Sequence, residues 1–271
     1  MAAEAARLAA LGLGALLVLL PLVVMTLTAF KTPADIFAPG VNLLPRQWDG
    51  MANFIRVLTS TNLPLYLANG VLVCAAILVL QLLIAVPCAY ALAKHRFRGR
   101  ELMFTLVLAG LLIPAQVPAI PLYIAFAQLG LINTYAALVL PHVISVFGIF
   151  LFRQFFMTVP DELIDAARLD GCDEGWILWR LMVPLAVPAV VAFAIFSVVA
   201  HWNDLFWPMI AVNREELATP PLGVVFFRNA ESGDEYGALM AAALLVTLPL
   251  LLAFLFAQRR FLDGLAATRL R

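Results

Sequence analysis

Charge is scarce in this chain: Asp, Glu, Lys and Arg make up 13% of its 271 residues, against about 25% in an ordinary water-soluble domain. Hydrophobic residues make up 64% and the mean hydropathy is +0.98, so a fold in water could not hide its apolar surface. Neither sign of charge is in excess, with 17 Lys plus Arg against 17 Asp plus Glu, and no basic field points to a nucleic-acid partner. Cys74, Cys88 and Cys172 are too few and too irregularly spaced for a disulfide framework or a Cys/His metal site. No GxxxxGK[ST] phosphate loop is present, so the chain does not bind ATP by that means. Neither HExxH nor GxSxG occurs, and His95, His142 and His201 fall on different segments, which leaves an intramembrane enzyme without visible machinery. Repeated halves and several midplane carboxylates, expected of an ion-coupled secondary transporter, are also missing. That class remains the alternative reading.

What the chain does have is long apolar runs. A bilayer core takes about 20 mainly apolar residues per helix. Six stretches qualify: Leu8 to Ala29, Tyr66 to Ala93, Leu102 to Phe126, Tyr135 to Phe155, Leu185 to Val212 and Ala238 to Ala257. Backbone groups in hydrocarbon must be satisfied internally, so these segments are expected to be helices and the fold an all-α membrane bundle. The first run is longer than the apolar region of a secretory leader and reads as a retained span. No linker or second soluble domain interrupts the sequence, so residues 1–271 read as one transmembrane domain.

Basic residues give the expected orientation. With both termini cytoplasmic, Arg7, Lys94, Arg96, Arg98, Arg100, Arg153, Arg168, Arg180, Arg259, Arg260, Arg269 and Arg271 lie inside, and Lys31, Arg46, Arg56, Arg214 and Arg228 outside. Twelve against five obeys the positive-inside rule. The outer segments are then Lys31 to Pro64, with a short surface helix expected around Trp48 to Leu58, and Asn213 to Gly237, which holds Glu215, Glu216, Glu231, Asp234 and Glu235. Either could meet an extracytoplasmic partner or simply be solvated.

Between the fourth and fifth spans, residues 158–183 are unusually polar and carry helix punctuation. Pro160 and Asp161 suit a helix start. Gly171 suits the left-handed residue after a helix end, and Asp173 suits the cap of a second helix running through Arg180, after which Pro184 begins the next span. On the first of these helices Ile164 and Ala167 share a side, with Asp161, Asp165 and Arg168 on neighbouring rows. Ala166 and Ala167 leave a surface with little bulk, which suits a shallow groove on another protein.

This loop resembles the cytoplasmic loop of permease subunits in bacterial ATP-binding-cassette importers. The family pattern is Glu-Ala-Ala, three residues, Gly, nine residues, Ile, one residue, Leu-Pro. Asp165, Ala166 and Ala167 match the triplet, Gly171 falls at the family spacing, and Leu181, Val183 and Pro184 match the end, with Asp for Glu, Leu for Ile and Val for Leu. The stretches LIPAQVPAIPLYIAFAQLGLINTYAALVLPHV, FGIFLFRQFFMTVPDEL, HWNDLFWPM and the tail RRFLDGLAATRL extend the resemblance, closest to the maltose-type second permease of the carbohydrate branch. FRQFFMTVPDEL is also similar to glycerol-phosphate importers, but it lies where substrate is not read.

The resemblance implies a subunit that pairs with a second, different permease in the inner membrane, above two nucleotide-binding subunits and beneath a substrate-binding protein. It assigns Asp161, Glu162, Ile164, Asp165, Ala166, Ala167, Arg168, Asp170 and Gly171 to a coupling helix seated in the ATPase subunit. The chain itself binds no cofactor and hydrolyses nothing; ATP is used by its partners. Asn69, Gln116, His142, His201, Asn203 and Asp204 are the polar residues within spans that would line a path for a carbohydrate or related polyol or glycerol-phosphate. Interhelical hydrogen bonding is the competing role for each of them. Gln81 is a further polar residue of the second span, and Pro114 and Pro118 bracket Gln116 and free backbone carbonyls within the third.

Overall fold

A computed structural model describes residues 2–40, 42–230 and 235–268, with side chains over 4–40, 42–226 and 235–255. Glu231, Asp234, Arg269 and Arg271 lie outside the described residues, as do the side chains of Arg228, Arg259 and Arg260. The described residues are helical, with no strand among them. In chain order the elements are α1 (Ala2–Ala29), α2 (Pro33–Ile36), α3 (Gly50–Ser60), α4 (Leu63–Lys94), α5 (Arg100–Gly110), α6 (Ala119–Gln128), α7 (Tyr135–Val139), α8 (Val146–Met157), α9 (Asp161–Leu169), α10 (Glu174–Trp176), a π-helical stretch Ile177–Met182, α11 (Val183–Leu185), α12 (Val187–Trp202), α13 (Phe206–Ala211), α14 (Pro220–Ala230) and α15 (Tyr236–Thr268).

Among the described residues, three helices are long and apolar enough to cross a bilayer: Glu4–Ala29, Leu63–Lys94 and Tyr236–Leu255. Two bent pairs raise the number to five among the described residues if each is one span. They are Tyr135–His142 with Val146–Met157, bent by 43°, and Glu174–Leu185 with Val187–Trp202, bent by 79°. The stretch 102–126, expected as one span, instead holds α5 and α6 with a non-helical connection between them. Pro114 and Pro118 explain the break, since each lacks an N–H and its ring clashes with the preceding helical turn. The stretch 185–212 is likewise divided, because α12 ends at Trp202 and the chain turns through Asn203 and Asp204 before α13.

The chain divides into two compact units. The first comprises Met1–Leu67 and Pro220–Pro249. There α3 forms where a surface helix is expected, and its Asn53 amide donates to the carbonyls of Ala29 (2.9 Å) and Lys31 (3.0 Å), satisfying oxygens that the end of α1 leaves open. Asp35 accepts the backbone N–H groups of Arg46 (2.8 Å) and Gln47 (3.0 Å), which pins the following loop.

The second unit comprises Ala68–Thr219 and Leu250–Arg271. Its core gathers Ala85, Val86, Ala89 and Tyr90 of α4, Ile149, Phe152 and Phe156 of α8, and Phe193 of α12, all buried. Gly148 lets the last of these approach: a Cβ there would stand 2.8 Å from Phe193 Cε2. Arg153, 6% exposed, also belongs to this unit. Its Nε donates to the Leu92 carbonyl (3.2 Å) and its guanidinium carbon lies 3.6 Å from the Phe104 ring centroid. A cation so placed closes the end of α4 and gains from the ring's negative face without a carboxylate.

Candidate functional site

The loop at 158–183 folds as its punctuation suggests, with additions. Pro160 holds the N-cap position of α9, Asp161 and Glu162 fill its first turn, and Arg168 its last, a distribution that complements the helix dipole. Ile164 and Ala167 are buried against the core; Glu162, Leu163, Asp165, Ala166, Leu169 and Asp170 face outward. Leu169 is 89% exposed, an apolar side chain presented to whatever lies beyond the chain. Gly171 has φ +82°. That left-handed turn lets Cys172 N–H reach the Ala167 carbonyl and Gly171 N–H the Arg168 carbonyl, each at 3.0 Å, closing the helix end. Asp173 caps α10 by accepting the Trp176 N–H (2.9 Å). The second helix does not stop at Arg180, because α10, the π-helical stretch and α11 run on to Leu185 before the 79° bend.

Two clamps hold α9 against the end of α4. Lys94, whose side chain is 5% exposed, donates to Asp161 Oδ1 (2.5 Å) and to the Val159 carbonyl (2.6 Å). By hydrogen bond and then by charge, Lys94 holds the Asp161 carboxyl below the ordinary aspartate range. Glu174 is the centre of the second clamp. It accepts from Arg168 Nε (2.8 Å) and from the buried Tyr90 hydroxyl (2.8 Å), with His95 Nε2 at 3.4 Å. Arg168 also donates to Asp165 (3.2 Å). Glu174 was not among the residues singled out from sequence, since an acid one position after a cap reads as a dipole complement. Tyr90 and His95 lie some 80 positions earlier, and nothing local announces the pairing.

A second feature is a cavity of about 600 Å³ in the second unit, lined by Gln116, His142, Ser145, His201, Asp204 and Gln81 among apolar neighbours that include Phe147, Phe206 and Trp207. Four of the six polar residues picked from sequence thus meet there. Asn69 and Asn203 do not line it. Asn69 is buried, donates to the carbonyls of Glu216 and Ala218 (2.9 Å each), and accepts from the Tyr135 hydroxyl (2.7 Å), a pattern of helix-to-loop bonding. Asn203 is exposed and donates back to Val199 within its own turn (2.8 Å).

Gln81, seen in sequence only as a polar residue of the second span, is the hub of the cavity. Its oxygen accepts from Ser197 (2.7 Å), and its nitrogen meets the His142 carbonyl (2.7 Å) and His201 Nε2 (3.2 Å). The His142 and His201 ring centroids are 4.7 Å apart, and His142 Nε2 is 3.8 Å from Asp204 Oδ2. Ser145 and Ser197 gave no signal in sequence, since serine within an apolar run reads as ordinary packing.

Residues 81–265 match the family described as binding-protein-dependent transport system inner membrane component. The chain is 34% identical over 254 residues to the arabinooligosaccharides transport system permease protein AraQ of Halalkalibacterium halodurans, covering 93% of this chain and 90% of that protein. It is 31% identical over 259 residues to the sn-glycerol-3-phosphate transport system permease protein UgpE of Yersinia pestis, covering 93% and 92%. It also superposes, with a TM-score of 0.83 at 24% identity over 95% of this chain and 96% of the other, on a chain from the crystal structure of a bacterial ABC transporter involved in the import of the acidic polysaccharide alginate. At that identity the likeness is one of fold.

Proposed function

The chain belongs to the binding-protein-dependent transport system inner membrane components, as a permease subunit of an ATP-binding-cassette importer, and from that premise we infer that it carries a carbohydrate or related polyol. The names of relatives such as the arabinooligosaccharide permease support a sugar, and a cavity that mixes amide, hydroxyl and imidazole groups with exposed aromatic faces is suited to one. All of 1–271 acts as a single transmembrane domain with six crossings and both termini cytoplasmic, α5 and α6 together supplying the third crossing. A second, different permease completes the path, two nucleotide-binding subunits hydrolyse the ATP, and a substrate-binding protein delivers the ligand from outside. This chain binds no cofactor.

The observation that carries the coupling role is the construction of α9. A short helix exposes the low relief of Ala166 beside Asp165, with Leu169 projecting. Lys94 ties it directly to the end of a 32-residue helix, and Glu174 links its Arg168 to Tyr90 of the same helix. A push on such a helix passes into the bundle as a rigid-body movement, because neither end of α9 can fold away independently. Asp161, Glu162, Ile164, Asp165, Ala166, Ala167, Arg168, Asp170 and Gly171 form the seat, Ile164 and Ala167 from beneath. Closure of the ATP-bound dimer would draw two such helices together and open the path outward.

The test is affinity isolation of this chain from detergent-solubilised membranes, scored for a copurifying phosphate-loop ATPase, beside the Asp165→Lys variant. The expected result is copurification with the unaltered chain and its loss, at equal membrane insertion, with the variant. Undiminished copurification with Asp165→Lys would overturn the assignment of α9.

A further inference from the structure

Among the described residues, those lining the cavity include one carboxylate, Asp204, two imidazoles, and no Lys or Arg. Its charge turns on the protons of the imidazoles, and hydrogen-bond geometry fixes one of them. The His142 carbonyl only accepts, so the Gln81 atom facing it (2.7 Å) and His201 Nε2 (3.2 Å) is the amide nitrogen, and Gln81 Oε1 accepts from the Ser197 hydroxyl. An amide nitrogen only donates. His201 Nε2 must therefore offer a lone pair, which makes His201 the neutral tautomer with its proton on Nδ1. His142 stands beside Asp204, Nε2 to Oδ2 at 3.8 Å, while Asp204 Oδ1 accepts the Trp207 N–H (3.3 Å). A protonated His142 would cancel Asp204, and a neutral one would leave a net charge of −1. In neither state is the cavity positive, and its apolar walls let the charge act over a longer distance than it would in water.

We propose that this cavity admits neutral, hydroxyl-rich ligands and repels anionic ones, and that Asp204 is the residue that sets this selectivity. The proposal rests on the reading of the cavity as part of the translocation path. It separates this chain by chemistry from relatives whose names specify anions, since sn-glycerol 3-phosphate and alginate both carry negative charge. Such a ligand is favoured by a facing lysine, arginine or cluster of backbone N–H groups, and among the described lining residues the Asp204 carboxylate has the opposite effect. Gln116, exposed on the cavity wall, together with Ser145 and the Nδ1–H of His201, supplies neutral donors and acceptors, and Phe206 an exposed ring for a sugar face.

The field can be read directly with charged thiol reagents. Gln116→Cys would be introduced into the full chain and the transporter complex purified, with labelling of Cys74, Cys88 and Cys172 measured on the unaltered complex as background. Labelling rates with a trimethylammonium and a sulfonate methanethiosulfonate would be divided by the rates for free cysteine. The expected ratio is on the order of tenfold in favour of the cationic reagent, collapsing toward one when Asp204→Asn is added. A ratio near one in the Gln116→Cys complex, or a preference for the sulfonate, would overturn the proposal. The path reading has its own readout: labelling in the nucleotide-free complex is compared with labelling in the complex trapped by magnesium ATP and vanadate. A charge bias with identical rates in both states would leave the field in place but remove the cavity from the path, and the ligand claim with it.

Discussion

Replacing Glu174 with alanine removes the centre of the second clamp, and the structure allows its cost to be worked out. The Arg168–Glu174 pair is half-open, with side chains 39% and 46% exposed, so solvent and salt screen it to about 0.5 kcal/mol. Tyr90 is only 4% exposed. Its hydroxyl, left without the carboxylate, loses a charge-assisted hydrogen bond of about 1.5–3 kcal/mol, and the lower end applies because water can follow the deleted side chain. The sum is about 2 kcal/mol, roughly a thirty-fold larger population in which α9 is released from α4. Hydrogen exchange of the α9 amides in the purified complex reads that opening equilibrium. Glu174→Gln keeps an acceptor for Tyr90 and is expected to recover more than half of the lost protection, which separates the hydrogen bond from the charge. Exchange within twofold of the unaltered chain in Glu174→Ala would refute the clamp.

Two further outcomes follow from named contacts. Gly148→Ala places a methyl 2.8 Å from Cε2 and 3.0 Å from Cζ of Phe193, a ring with no room to retreat. A loss of about 1–3 kcal/mol is expected, visible as a lower midpoint in thermal unfolding of the complex; an unchanged midpoint would mean that this helix pair is less tightly packed than described. The depressed Asp161 carboxyl stabilises the folded loop above the ordinary aspartate range, and the benefit disappears as the pH falls through the folded-state value, because the proton then competes with Lys94. Proteolysis of the 158–183 loop should therefore be flat from neutral pH to mildly acid pH and rise only below about pH 4. In Lys94→Met that loop should be cut faster at neutral pH and lose the acid-dependent rise; persistence of the rise would assign it to another group.

Much of the loop was legible in the chain because its signals are local. Gly171, Asp173 and the Ile164/Ala167 pairing each depend on neighbours within four residues, and each sits where helix punctuation puts it. The apolar runs identified α1, α4 and α15 for the same reason. What escaped depends on distant partners. The prolines at 114 and 118 were read as freeing carbonyls within a span, whereas the backbone between α5 and α6 leaves the helix altogether. Asn69 looked like a path residue because an amide in an apolar run is conspicuous; its partners, the 216 and 218 carbonyls, lie about 150 positions away. Gln81 was conspicuous for the same reason, yet its role as hub depends on Ser197 and His201, residues that only tertiary packing brings to it.

The clamps and the cavity share helices, and this constrains how a push on α9 could reach the cavity. Helix α4 presents Tyr90 and Lys94 to α9, and Gln81 of the same helix bonds the cavity residues. From 81 to 90 the helix axis advances about 14 Å, with Pro87 inside the interval, where one intrahelical bond is missing. Helix α12 carries Ser197 and His201 and is reached from α9 through the 79° bend at Ala186. A displacement of α9 therefore has one route along a single continuous helix and another through a bend, and the two meet at Gln81. Both N–H groups of its amide are committed in this arrangement, one each to the His142 carbonyl and to His201, and its oxygen accepts from Ser197. Any rotation of α12 against α4 must break at least one of these bonds, at a net cost of about 1 kcal/mol each. A junction that either keeps all three bonds or exchanges them together favours two discrete arrangements over a continuous slide.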